Sequence, residues 1–100
     1  MEHVLMHLEI RPGTAAEYER RHHEIWPEMV DAIGESGIRE LRIFRHETAI
    51  SIYAVCEPDA DTAFAVLGAT AVNTRWNEHM ADVLVDRSAA IFAPEIWVMR

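Results

Sequence analysis

The sequence predicts an α+β domain of order strand, helix, strand, strand, helix, strand, and three observations predict it. Residues His3 to Ile10 alternate in polarity with the period of a half-buried strand. Two stretches, one starting near Ala15 and one starting at Pro58, carry apolar residues at helical spacing. Between them, Ile38 to His46 and Ile50 to Cys56 read as two strands divided by a short Glu47-Thr48 turn, hence a hairpin. This order is the ferredoxin-like βαββαβ pattern, an antiparallel sheet with its helices on one side. The other side then needs cover, and a facing sheet from a second subunit, the dimeric α/β-barrel arrangement, supplies it. With 100 residues and no repeat or linker, residues 1–100 are read as a single domain.

Taken in order, the first strand sends Val4, Met6, Leu8 and Ile10 to one face and His3, Leu5, His7 and Glu9 to the other. Pro12-Gly13 ends it, and Thr14 with Glu17 matches the capping box that satisfies the free amides of a helix start. At about 100° per residue, Ala15, Tyr18, His22, Ile25, Met29, Ala32 and Ile33 share one stripe, with Arg20, Glu24, Asp31 and Glu35 opposite and His23 beside it. Pro27 donates no backbone hydrogen bond and crowds the turn before it, so the helix should bend or restart there. Ser36-Gly37 stops it. In the second helical stretch, Gly68 and Thr70 interrupt between Leu67 and Ala71, after which Val72, Trp76, Met80 and Val83 share a face up to about Asp82. A loop holding Asp86, Ser88 and Pro94 leads to a last strand, Glu95 to Met99. The sheet face turned from the helices carries mixed residues such as His7, Glu9, Tyr53 and Trp97, and a polar pocket is expected between helices and sheet.

Charge and cysteine usage narrow the function classes. The formal net charge is −8 and lysine is absent, which argues against nonspecific binding to nucleic acid or to an anionic membrane. No apolar run approaches the roughly 18 residues that cross a bilayer. Cys56 is the single cysteine, so no intrachain disulfide forms, and the N-terminus lacks the pattern of a secretory signal. A cytoplasmic protein acting on a small neutral molecule, as a homodimer, is expected.

The chemistry-bearing stretch is Tyr18 to Glu28. His22 can give or take a proton near neutrality, and it interrupts an otherwise apolar stripe. A core histidine bonded to backbone is the plain alternative. Tyr18 stands one turn earlier and can address the same ligand, although tyrosine at such a position also simply packs. Trp26 and Trp76 offer flat faces for a sugar's C–H surface, or fill the core. Arg20, Arg21 and Arg75 could clamp an anion, but with 17 acidic residues present, ion pairing is the plainer role. Glu28 could orient His22 but points off the stripe. Metal binding finds little support: Glu19-x-x-His22 is half of a di-metal motif whose second half is missing, and His3 and His7 stand roughly 13 Å apart along one strand.

Tyr18-x-Arg20-Arg21-His22-x-x-Ile25-Trp26-Pro27-Glu28, followed by Arg75-Trp76-x-x-x-Met80-x-Asp82-Val83, resembles the L-rhamnose mutarotase family over nearly the whole chain. The resemblance implies a dimeric ferredoxin-like fold and a cofactor-free enzyme that interconverts the α and β anomers of a 6-deoxy-L-sugar, L-rhamnose or else L-fucose. It implies His22 as proton donor, with Tyr18 and Trp76 contacting substrate. At two further substrate-contacting positions the chain departs from the family pattern: Leu41 stands where a tyrosine is usual and Asn77 where a second tryptophan follows the first. Whether Glu28, Arg21 or His79 assists His22 is left open. Two rival readings are a cofactor-independent monooxygenase on the related dimeric barrel and a non-catalytic sugar-binding module.

Overall fold

The computed structural model describes residues 1–85 and 91–100. Its elements are β1 (Glu2–Glu9), α1 (Ala15–His23), α2 (Pro27–Glu35), β2 (Ile38–His46), β3 (Ala49–Cys56), α3 (Ala60–Gly68), α4 (Ala71–Met80) and β4 (Ala93–Pro94). The strands form one antiparallel sheet in the order β2-β3-β1-β4, the ferredoxin-like arrangement. The hairpin closes through Glu47-Thr48 with His46 opposite Ala49, and Glu47 takes a positive φ of 54°.

Alternation along the strands decides which face is covered. Val4 and Met6 of β1, the following Ile10, and Ile50, Ile52 and Ala54 of β3 are buried against Met29 and Ala32 of α2, Ala63 and Leu67 of α3, and Trp76 and Met80 of α4. Each valine, leucine, isoleucine or methionine among them contributes about 1.5–3 kcal/mol on full burial. The opposite face keeps its polar pairs: Nδ1 of His3 lies 2.6 Å from the Tyr53 hydroxyl, and the His7 ring meets Ser51 at 3.2 Å.

Gly37 is required by the backbone. Its φ is +102°, and a Cβ built there would collide with the carbonyl oxygen of Glu57, whose own amide donates to the Gly37 carbonyl at 2.9 Å. This close pairing sets the start of β2 beside the end of β3.

Three expectations are corrected. The Thr14–Glu17 capping box does not form: the Thr14 hydroxyl donates backwards to the Arg11 carbonyl at 2.6 Å, and Glu17 is drawn along α1 to Arg20 and Arg21. Charged partners on the helix outcompete a neutral amide behind it. The strand expected over Glu95 to Met99 is the two-residue β4, opposite Leu5 and Val4. Antiparallel pairing places later residues of this strand against earlier ones of β1. Glu95 already donates to His3, β1 begins at Glu2, and the edge runs out of partners. Ile96 and Trp97 consequently stand 96% and 76% exposed. Pro94, expected in a loop, lies in β4, while Asp86 and Ser88 fall outside the described residues. Among the described residues no helix is long and apolar enough to cross a membrane.

Candidate active site

Pro27 builds the site by ending one helix and starting another. It occupies the first turn of α2, where its missing N–H costs nothing, and Trp26 before it is extended at φ −63° and ψ 132°. α1 therefore ends at His23 instead of running on, and Ile25 and Trp26 turn inward to pack against the core. The helix restart expected from the sequence is what the structure shows.

A cavity of about 150 Å³ opens between the helices and the sheet, lined by Tyr18, His22, Leu41, Trp76 and Asn77. The rest of its wall is mainly aliphatic, with Met6 and Leu8 from β1 and Ile43 and Ile52 from the hairpin. The pocket expected to be polar is thus apolar with a few polar groups, because the strand residues that face the helices are the core-facing ones. Five of the six residues put forward from the sequence as catalytic or sugar-contacting meet in this wall. Trp26 does not; it stands behind, edge-on to Trp76 with ring centroids 5.2 Å apart.

His22 has its Nδ1 2.9 Å from the Tyr18 carbonyl oxygen. A carbonyl only accepts, so Nδ1 carries the proton of the neutral ring and Nε2 holds the free lone pair; the tautomer follows from this hydrogen bond. Burial pushes the His22 pKa below its ordinary value of 6.5, the hydrogen bond to Tyr18 opposes this, and neighbouring His23 adds to the lowering. The imidazole is therefore neutral at neutral pH. Its ring lies 4.4 Å from that of Tyr18, tilted by 37°, and 5.5 Å from Trp76, nearly perpendicular at 87°. A second opening of about 370 Å³, lined by Glu19, His23, Ile43 and Arg45, also reaches His22 and Tyr18. Arg45 there is held by Glu19 at 2.5 Å.

The remaining candidates lie outside the cavity wall. Glu28 is exposed and stands 3.5 Å from Arg75. Arg20 pairs with Glu17 and Glu24 along α1. Arg21, only 13% exposed, binds Glu17, Asp82 and the His79 carbonyl. Helical spacing of three and four residues could have found Glu17 and Glu24 as partners of Arg20 and Glu17 as a partner of Arg21; no local signal pointed to Asp82, the His79 carbonyl or the pairing of Glu28 with Arg75. His79 packs its ring against Trp26 and Trp76 at 5.4 and 5.5 Å. The aliphatic wall could have been read from the alternation of β1, which puts Met6 and Leu8 on the core face. Among the described residues no group of three or more His, Cys, Asp or Glu side chains could hold a metal ion.

Comparison with known proteins bears on this geometry. Residues 3–99 match the family model described as L-rhamnose mutarotase. The chain is 40% identical over 84 residues to an L-rhamnose mutarotase of Acidiphilium cryptum, covering 84% of this chain and 81% of the relative. It is 38% identical over the same shares to one of Burkholderia cenocepacia. Among solved structures, an L-rhamnose mutarotase from Formosa agariphila superposes over the full length of both chains with a TM-score of 0.81 at 20% identity. A protein from Nitrosomonas europaea named for antibiotic biosynthesis monooxygenases superposes over 97% of this chain and 100% of its own, with a TM-score of 0.69 at 13% identity. At those identities the two structures speak for the fold alone.

Proposed function

The chain belongs to the L-rhamnose mutarotase family and is an aldose mutarotase, and on that premise we propose that it interconverts the α and β anomers of a 6-deoxy-L-hexopyranose, L-rhamnose first and L-fucose next, with His22 as the acid/base. The observation that carries this reading is the anchored imidazole: Nδ1 is committed to the Tyr18 carbonyl, which leaves Nε2 as the exchangeable site in a cavity it shares with Tyr18 and Trp76.

Anomer exchange requires the C1–O5 bond to break and reform. On opening, the anomeric hydroxyl loses a proton, the carbonyl forms at C1, and the ring oxygen gains a proton. The aldehyde then rotates and the steps reverse on its other face. Because the cycle is reversible, a group that accepts in one direction donates in the other, and its resting state decides which comes first. His22 rests neutral, so it takes the anomeric proton at Nε2 and, as imidazolium, delivers it to the ring oxygen, directly or through the Tyr18 hydroxyl; closure on the other face runs the transfer in reverse. Tyr18 positions a sugar oxygen or relays the proton to the ring oxygen, and Trp76 orients the sugar by contact with its C–H face. Leu41 and Asn77 set which hydroxyls are paired. A buried hydroxyl left without a partner costs about 1–3 kcal/mol, enough to discriminate between sugars.

The same reading makes the protein a cytoplasmic homodimer, with the uncovered sheet face and the exposed side chains of Phe44, Ile96 and Trp97 as the joining surface.

NMR saturation exchange between the anomers of L-rhamnose, L-fucose and a D-sugar control tests the proposal. Wild-type protein accelerates exchange of one or both L-sugars, and His22→Ala loses roughly 10²- to 10⁴-fold of that rate. Equal rates with and without protein, or an undiminished His22→Ala, would sink it.

A further inference from the structure

We propose that Arg21, bound to Asp82, is a positioning residue for His22: it locks α1 to the C-terminal end of α4 so that His22 and Trp76 face each other across the cavity. This inference rests on the catalytic reading of His22 given above. Arg21 directly precedes His22 in α1 but leaves that helix to bind the end of another.

Its guanidinium makes a two-point contact with Asp82, Nη1 to Oδ1 at 2.7 Å and Nη2 to Oδ2 at 3.1 Å. Nη1 also donates to the His79 carbonyl at 2.7 Å, and Nε donates to Glu17 at 3.0 Å. Four of the roughly five N–H donors of an arginine are thereby committed. His79 lies in the last turn of α4, whose carbonyls have no partner within the helix, so a cation bound there closes the helix end and suits its dipole. The planar fork makes these contacts at once, which the single ammonium of a lysine cannot do.

The consequence reaches the cavity through both helices. Trp76 lies one turn before His79 and Met80 on α4, and His22 is the next residue after Arg21 on α1. The edge-on approach of His22 to Trp76 therefore depends on how α1 is set against α4. Loosening the link shifts the imidazole relative to the sugar it must meet, and a misplacement near 1 Å can cost on the order of 100-fold in rate.

The test measures anomer exchange of L-rhamnose by wild type, His22→Ala, Arg21→Gln, Asp82→Asn and the double variant Arg21→Gln/Asp82→Asn, with melting temperatures from circular dichroism. Asp82 is 67% exposed, so its replacement leaves the core intact and covers the case in which Arg21→Gln fails to fold. Both single variants are expected to lower kcat about 10- to 100-fold with KM nearly unchanged, and the double variant to be no slower than Arg21→Gln, because the two side chains act as one unit. A lowered melting temperature with wild-type kcat in folded Arg21→Gln and Asp82→Asn overturns the proposal while leaving His22 in place. An undiminished His22→Ala, or no exchange by wild type, overturns the reading on which it rests.

Discussion

His22 is held at one ring nitrogen and open at the other, and that asymmetry fixes the sign of its pH dependence. Its pKa is lowered from 6.5 by burial. If the neutral ring is the form that starts the cycle, kcat/KM for anomer exchange is flat through neutrality and falls as the pH drops below 6.5, through the depressed pKa of the sugar-free protein. A rate that rises over the same range would assign the imidazolium, and so the donor role, to the first step. That Tyr18 and His22 address one ligand was legible as residue spacing, since positions one turn apart share a helix face; Trp76 lay on the apolar face of its own helix, and only the family resemblance joined it to them. Trp26 read equally well as a sugar platform, yet the break at Pro27 puts it behind Trp76, because the extended residue before a proline no longer follows the helical period.

At the scale of elements, caps and glycines give sharper contrasts than helix propensity. Asp59 and Thr70 cap α3 and α4, with the Asp59 carboxylate accepting from the Thr62 amide at 2.7 Å and the Thr70 hydroxyl from the Asn73 amide at 3.3 Å. Asp59→Ala should cost about 0.5–2 kcal/mol in urea unfolding, and Thr14→Ala less, because Thr14 does not cap α1. Gly37→Ala should destabilise by more than about 1 kcal/mol, since its positive φ and the Glu57 carbonyl leave no room for a Cβ. Gly34→Ala should stabilise by up to about 1 kcal/mol, because Gly34 lies inside α2 with nothing within 4 Å of its Cβ position. Equal midpoints for the two alanine variants would refute this account of the glycines. The helix restart at Pro27, the hairpin at Glu47-Thr48 and the stop at Gly37 were all readable, because each follows from a local backbone restriction. The capping box at Thr14 was misread because Glu17 had two arginines within reach, a competition that spacing alone does not rank.

For the whole molecule, the sheet has helices on one face only. Sedimentation should find the chain at twice its own mass at micromolar concentration, and Trp97→Glu should shift it toward the monomer. A wild-type monomer under those conditions would remove the dimer from the proposal. Order of elements, the core-facing residues and the motif around His22 were determined by the sequence, because periodicity and turn chemistry act over a few residues. The shortened β4, the hairpin's share of the cavity wall and the pairing of Arg21 with Asp82 were decided by tertiary structure alone. Each depends on which residue of a distant element arrives opposite: β1 runs out at Glu2 before Trp97 can pair, Ile43 and Ile52 meet across the hairpin to wall the cavity, and Arg21 finds Asp82 61 residues away. No local pattern encodes that arrival; His22 is anchored locally, to the carbonyl one turn back, but its neutral state depends on distant partners as well, since the burial that lowers its pKa comes from the packing of the whole fold.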